Sequence, residues 1–143
     1  MQVAISRSKP AVVGQFLCFG IVGAFGFLID TATVYGLRGV LGLYGAGIAA
    51  YVAAASANWA LNRSWTFRGC GNLSAHRQWA RFLLANAVGF VLNRGTYAAL
   101  VSAVPLCAAQ PVLAVAAGAA AGMGVNFSLS RRVVFADRPS RLR

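Results

Sequence analysis

Four long apolar runs, closed at alternate ends by basic residues, constrain this chain more than any other feature of its 143 residues. The first run, Val12–Leu37, is interrupted only by Asp30, and the second is Gly39–Asn62. The third follows Arg81 and contains one charge, Arg94, and the fourth begins at Val112 and ends at Leu129. A soluble domain of this size carries roughly 25% charged residues to dress its surface. Here 59% of the residues are hydrophobic and 10% are charged. The charges gather at the run ends, where a lipid-embedded chain keeps them. The expected fold is all-α, a polytopic membrane protein in one domain with four transmembrane helices at about residues 16–35, 43–61, 82–104 and 112–129. Pro105 and Pro111 bracket a tight turn, because proline lacks an amide donor and disfavours helix in the residue before it.

Orientation follows from the Lys/Arg bias. Arg7 and Lys9 precede the first run, Arg63, Arg68, Arg77 and Arg81 fill the middle connection, and Arg131, Arg132, Arg138, Arg141 and Arg143 follow the fourth run. The connections around Gly36–Gly42 and Pro105–Gln110 carry one basic residue between them, Arg38. Both termini and the middle loop are therefore expected on the cytoplasmic side of a bacterial inner membrane, in a multi-pass arrangement. The first run is read as a span and not as a cleaved signal, since it is long and lacks a small-x-small cleavage site. A net charge of +11 would point to nucleic acid in a soluble chain. Flanking apolar runs, the same charges point to anionic phospholipid instead.

The chain also repeats itself. "NWALNRSWTF", Asn58–Phe67, aligns with "NFSLSRRVVF", Asn126–Phe135, with Asn, Leu, Arg and Phe identical in order. "GFLID", Gly26–Asp30, aligns with "GFVLN", Gly89–Asn93, and Phe19 with Phe82. The expectation is two parallel repeats, about residues 14–68 and 80–136, each a helical hairpin, related by a pseudo-twofold along the membrane normal.

Small residues four apart share a helix face. Ala46, Ala50, Ala54 and Asn58 form one such stripe, and Ala114, Gly118, Gly122 and Asn126 form its counterpart. Such stripes let backbones approach in lipid, and they predict a seam between hairpins or between protomers of a homodimer. Asn58 and Asn126 either cross-link helices or line a polar entry. Trp59, Trp65, Phe67 and Trp79 fit an interfacial aromatic belt. Arg63 and Arg131, just past equivalent helix ends, face lipid phosphate or a phosphorylated substrate. Asp30 and Arg94, the two charges inside predicted spans, are expected at similar depth and are expected to pair, either as a structural ion pair or as part of a lipid-phosphate site.

No catalytic set emerges. His76 has no neighbouring acid for a triad, no paired carboxylates are present for glycosidic chemistry, and no glycine loop leads into Lys-Ser or Lys-Thr. Two acids in the whole chain give no divalent metal site, and Cys18, Cys70 and Cys107 imply no intrachain disulfide. No cofactor is expected, and the protein is read as a non-enzyme.

With those features in place, the sequence resembles the GtrA-like family of small four-span membrane proteins. The resemblance rests on "VGQFLCFGIVGAFGFLID" (Val13–Asp30), "NWALNRSWTFR" (Asn58–Arg68), "RFLLANAVGFVLN" (Arg81–Asn93) and "NFSLSRRVVF" (Asn126–Phe135). It carries over Asp30, Asn58, Asn62, Arg63, Trp65, Phe67, Arg81, Asn126, Arg131 and Phe135. The second-half motif departs from the first, with Ser130 and Arg132 where the first has Asn62 and Ser64. The resemblance implies the handling of polyprenyl-phosphate-linked sugars in cell-surface polysaccharide biosynthesis. Two roles follow from it, translocation of the lipid-linked sugar or non-transporting assistance to a membrane glycosyltransferase; a third, small-solute or multidrug export, would use Asp30 as a membrane-embedded acid for proton coupling, and the resemblance argues against it. The substrate-binding candidates are Asp30, Asn58, Asn62, Arg63, Arg94, Asn126 and Arg131.

Overall fold

Helix is the conformation that satisfies every backbone donor and acceptor within one segment, which a chain in contact with lipid requires. The computed structural model describes residues 11–71 and 73–136, and all regular structure among them is helical. Helix α1 is Val12–Leu61, α2 is Ala75–Ala103, α3 is Pro105–Ala109 and α4 is Pro111–Leu129. A π-helical turn, Asn62–Thr66, extends α1, and a second, Ser130–Val134, extends α4. Arg7 and Lys9, and the tail residues Arg138, Arg141 and Arg143, on which part of the expected orientation rests, lie outside the described residues.

Helix α1 changes direction within its 50 residues. Gly42 has φ 67° and ψ 176°, a backbone that a side chain with a Cβ rarely adopts. The chain folds back at that point. Gly26 and Asn58, equally distant from Gly42 in sequence, lie against each other, and the rings of Phe19 and Phe67 approach to 6.3 Å. The expected turn over Gly36–Gly42 thus shrinks to its last residue. Gly36 and Gly39 stay helical, with open space around them. Between α2 and α4, Val104 is extended ahead of Pro105 (φ −119°, ψ 107°). Pro105 and Pro111 each open a helix, the position at which the missing N–H costs nothing. The connection therefore holds the single helical turn α3.

The expectation of four membrane-crossing helices is corrected to two. Among the described residues, the stretches long and apolar enough to cross a membrane are Val12–Thr66, 55 residues with the π-turn included, and Pro111–Val134, 24 residues. Two physical reasons account for the difference. The first two expected spans join into one helical stretch, because the break at Gly42 is a single residue. The third expected span falls within α2, where Asn86, Asn93 and Arg94 dilute the apolar sequence. In the most apolar 18 residues of each qualifying stretch, only 22% is buried inside the fold. A core helix of a soluble protein would be mostly buried, whereas Phe27, Leu28, Val40, Leu43 and Tyr44 are all exposed.

The core sits at the end of the molecule that carries the repeated motifs. Phe19, Phe67, Phe82, Phe127, Val134 and Phe135 form one buried cluster, with Phe16 and Trp59 against it. Phe67 and Phe135 stack face to face at 4.6 Å and 13°. Phe19 meets Phe67 at 66°, and Phe82 meets Phe135 at 6.1 Å and 67°. The two π-turns, 68 residues apart, supply Phe67 and Phe135. In each, the N–H five residues along closes on the first carbonyl, Phe67 to Asn62 and Phe135 to Ser130, both at 2.8 Å. Away from this cluster, α4 packs along α2, and α1 touches both only lightly. The small-residue stripe of α4 makes that tight contact. A Cβ on Gly118 would lie 2.6 Å from the Asn93 carbonyl oxygen, and one on Gly122 would lie 2.8 Å from that of Gly89. The stripe is therefore used against α2, and not between hairpins or between protomers as its sequence suggested.

Candidate functional site

Light packing of α1 against α2 and α4 leaves a cavity of about 1060 Å³ between them. Phe19, Phe82 and Asn62 bound it at the aromatic end, and Leu43 and Tyr44 line it near the Gly42 fold. Most of its wall is apolar, from Phe27, Ile48, Phe90, Val91 and Met123 among others. Against that wall stand Asp30, Tyr51, Asn58, Asn62, Asn86, Asn93 and Asn126. No Lys, Arg or His is among the described lining residues.

Each half positions its asparagine in the same way. Asn58 on α1 fills the space over Gly26, and Asn126 on α4 fills the space over Gly89. Any side chain at either glycine would collide with the carboxamide. Asn126 Nδ2 donates to Asn86 Oδ1 at 3.4 Å, Asn86 Nδ2 donates to the Phe82 carbonyl at 2.9 Å, and the Tyr51 hydroxyl donates to the Leu83 carbonyl at 2.6 Å. The Oδ1 atoms of Asn58, Asn62 and Asn126 are buried with no partner. A buried unpaired acceptor costs on the order of 1–3 kcal/mol. A turn of these carboxamides toward the cavity would bring the oxygens to a ligand's hydroxyl donors and recover it, and a carboxamide offers such a ligand both donor and acceptor.

The sequence candidates divide on this geometry. Asp30, Asn58, Asn62 and Asn126 are brought together on the cavity wall. Arg63 is at the rim, where its Nη1 donates to Gln78 Oε1 at 2.6 Å and its guanidinium lies over the Trp59 ring at 5.6 Å. The Trp59 indole N–H donates to the same Oε1 at 3.2 Å. Arg131 holds the equivalent place after α4 but is exposed and makes no such bond. Gln15 stands to Gln78 as Phe19 stands to Phe82, and its buried Oε1 is unpaired. Phe127 replaces Trp59 in that half and removes the indole donor. The rim is thus latched on one side and unlatched on the other. Arg94 is exposed, off the cavity wall, and lies over the Phe90 ring at 5.6 Å. It forms no ion pair with Asp30, which has no hydrogen-bond or ionic partner among the described residues. The expected pairing of these two charges is therefore not made.

Sequence reasoning missed Asn86, Tyr51 and the Gln15 and Gln78 pair. Asn58 and Asn126 stand out by the repeated motif and the four-residue stripe, which Asn86 does not share; the signal that could have found it is a carboxamide within an apolar run. Gln15 and Gln78 share the 63-residue offset of Gly26 and Gly89.

Outward-facing apolar side chains along both long helices define the class first: this is a membrane-associated, all-α protein. More narrowly, the chain belongs to the GtrA/DPMS transmembrane-domain family, whose model matches residues 18–135. No curated protein matches the sequence. Membership supports a general role in handling polyprenyl-phosphate-linked sugars, in the company of the glycosyltransferases that make or use them, and the family is non-enzymatic.

Proposed function

We propose that the protein binds the head group of a polyprenyl-phosphate-linked sugar in the carboxamide-lined cavity and carries it across the cytoplasmic membrane. The observation that carries this reading is the set of unpaired, buried Oδ1 atoms of Asn58, Asn62 and Asn126 on a mostly apolar wall. Asparagines suit a polyol, and the apolar wall suits the C–H faces of a sugar ring, while the isoprene units stay in the lipid beyond the phosphate. The phosphate belongs outside the cavity, which has Asp30 and no base among the described lining residues, and the exposed guanidinium of Arg131 at the rim is its partner. Arg63 contributes through the latch on Gln78, and Arg94, off the wall, is left to lipid phosphate. Anionic phospholipids take Arg131 and Arg132 when no substrate is bound.

In this reading, the basic rim, both termini and the Arg63–Arg81 connection face the cytoplasm in a multi-pass arrangement. The chain is an internal duplication, about residues 14–68 and 80–136. The two π-turns, the paired glycine–asparagine seats and the matching ring angles support it. A homodimer would close the lipid-facing side of a cavity this large.

The test is reconstitution in proteoliposomes with a fluorescent polyprenyl-phosphate sugar, read by an impermeant quencher. The expected result is protein-dependent exchange between leaflets that Asn58→Leu and Asn126→Leu reduce at least tenfold. No exchange, together with a gain in glycosyltransferase activity when the two proteins are combined, would replace translocation by the accessory role.

A further inference from the structure

The charge balance of the cavity differs from that of the protein around it. The chain has 13 Lys and Arg against two acids, Asp30 and Asp137, yet its cavity holds one of those acids and no basic residue among the described lining. Asp30 is half-buried and has neither an ionic nor a hydrogen-bond partner among the described residues. The other polar side chains among the described lining are neutral carboxamides and two phenols, Tyr44 and Tyr51, and one of the carboxamides, Asn62, is 1% exposed with its Oδ1 unpaired. Like charges brought together where water is scarce repel strongly, and specificity is commonly built from such a repulsive element.

Resting on the proposed sugar-binding role of this cavity, we infer that Asp30 is a charge filter. It admits neutral and amino sugars and rejects head groups that carry a carboxylate. Neutral hydroxyls donate to the Asp30 carboxylate and to the asparagine oxygens alike, and an ammonium substituent pairs with Asp30 directly. A uronic acid would set a second carboxylate in the same base-free space, with no cation to offset either charge. The phosphate escapes this repulsion because the lipid tether holds it at the arginine rim. Asp30 lies eleven residues beyond Phe19, roughly 16 Å along the helix at about 1.5 Å per residue.

The experiment measures binding of three lipids to the protein in nanodiscs, by displacement of one fluorescent polyprenyl phosphate. The lipids carry glucosyl, glucosaminyl (free amine) or glucuronyl head groups on the same polyprenyl phosphate. The wild type is expected to bind the glucosyl and glucosaminyl lipids at least tenfold more tightly than the glucuronyl lipid. Asp30→Asn should bring the ratio of glucosyl to glucuronyl affinity to within about threefold, and Asp30→Glu should restore it. Melting of each variant in the same nanodiscs separates misfolding from selectivity, and a ratio taken on one preparation is independent of its active fraction. Equal wild-type affinity for glucosyl and glucuronyl lipids overturns the filter and leaves the sugar-binding role standing. So does an Asp30→Asn ratio unchanged from wild type. Failure of all three lipids to bind overturns both.

Discussion

Glycine decides how closely these helices approach. Gly118 and Gly122 meet the backbone carbonyls of Asn93 and Gly89, which cannot swing aside as a flexible side chain would. Gly124, on another face of the same helix, has open space around its Cβ position. Gly118→Ala and Gly122→Ala should therefore lower stability by about 1–3 kcal/mol. Gly124→Ala should be neutral or stabilising by up to about 1 kcal/mol, from helix propensity alone. Thermal melting in one detergent checks all three, and a loss at Gly124 equal to that at Gly122 would contradict the packing described. The four-residue spacing of this stripe was legible in the sequence, but its partner was not, because spacing gives a face and not what lies opposite. Asn58 and Asn126 were likewise legible, from the repeated motif and the stripe they end. Asn86 was not singled out because it lies outside the repeated motif, although the cost of a buried amide is the same there.

At the scale of elements, the π-turns do most to arrange the rim. Each inserts one residue into the helical end, and Phe67 and Phe135 are stacked on each other as a result. Nothing in the residue types of Asn62–Thr66 or Ser130–Val134 announces a wider turn, which is stabilised by the tertiary contacts of the phenylalanines that follow. Proline, by contrast, acts locally, and Pro105 and Pro111 placed the α2–α4 connection correctly. The asymmetric latch gives a prediction at this scale. Arg63→Ala removes a charge-assisted bond to the buried Gln78 and should cost about 1.5–3 kcal/mol. Arg131→Ala removes no bond, and its effect on stability should stay within about 0.5 kcal/mol, while lipid-phosphate binding falls. Melting and phosphate-lipid binding measured on both variants check this. Equal melting losses would mean that the two halves are latched alike.

For the whole molecule, composition made the membrane legible, since a chain with so few charges has no water-facing surface to offer. It did not give the number of crossing helices. Hydropathy read along the chain places a break over Gly36–Gly42, while the structure carries α1 through Gly36 and Gly39 to a one-residue break, and the third expected span, with Asn86, Asn93 and Arg94, forms as helix without being among the stretches apolar enough to cross. The cavity was not legible at all, because it arises from the light contact of α1 with α2 and α4. Orientation gives the prediction at this scale. A cysteine at Gly71, in a background where Cys18, Cys70 and Cys107 are changed to Ser, should resist an impermeant maleimide in intact cells and react once the membrane is opened. Reaction in intact cells would put the basic rim outside and reverse the proposed direction of loading.

The central claim is that the cavity holds the sugar, and photo-crosslinking tests it most directly. A polyprenyl-phosphate sugar with a diazirine on the sugar ring is irradiated with the reconstituted protein, and the adducts are located by mass spectrometry. Adducts on cavity residues such as Tyr51, Asn86 and Phe90, competed by unlabelled lipid-linked sugar, are the expected result. Adducts confined to outward-facing residues such as Leu28, Val40 and Leu84, or adducts that unlabelled lipid does not compete, would contradict it.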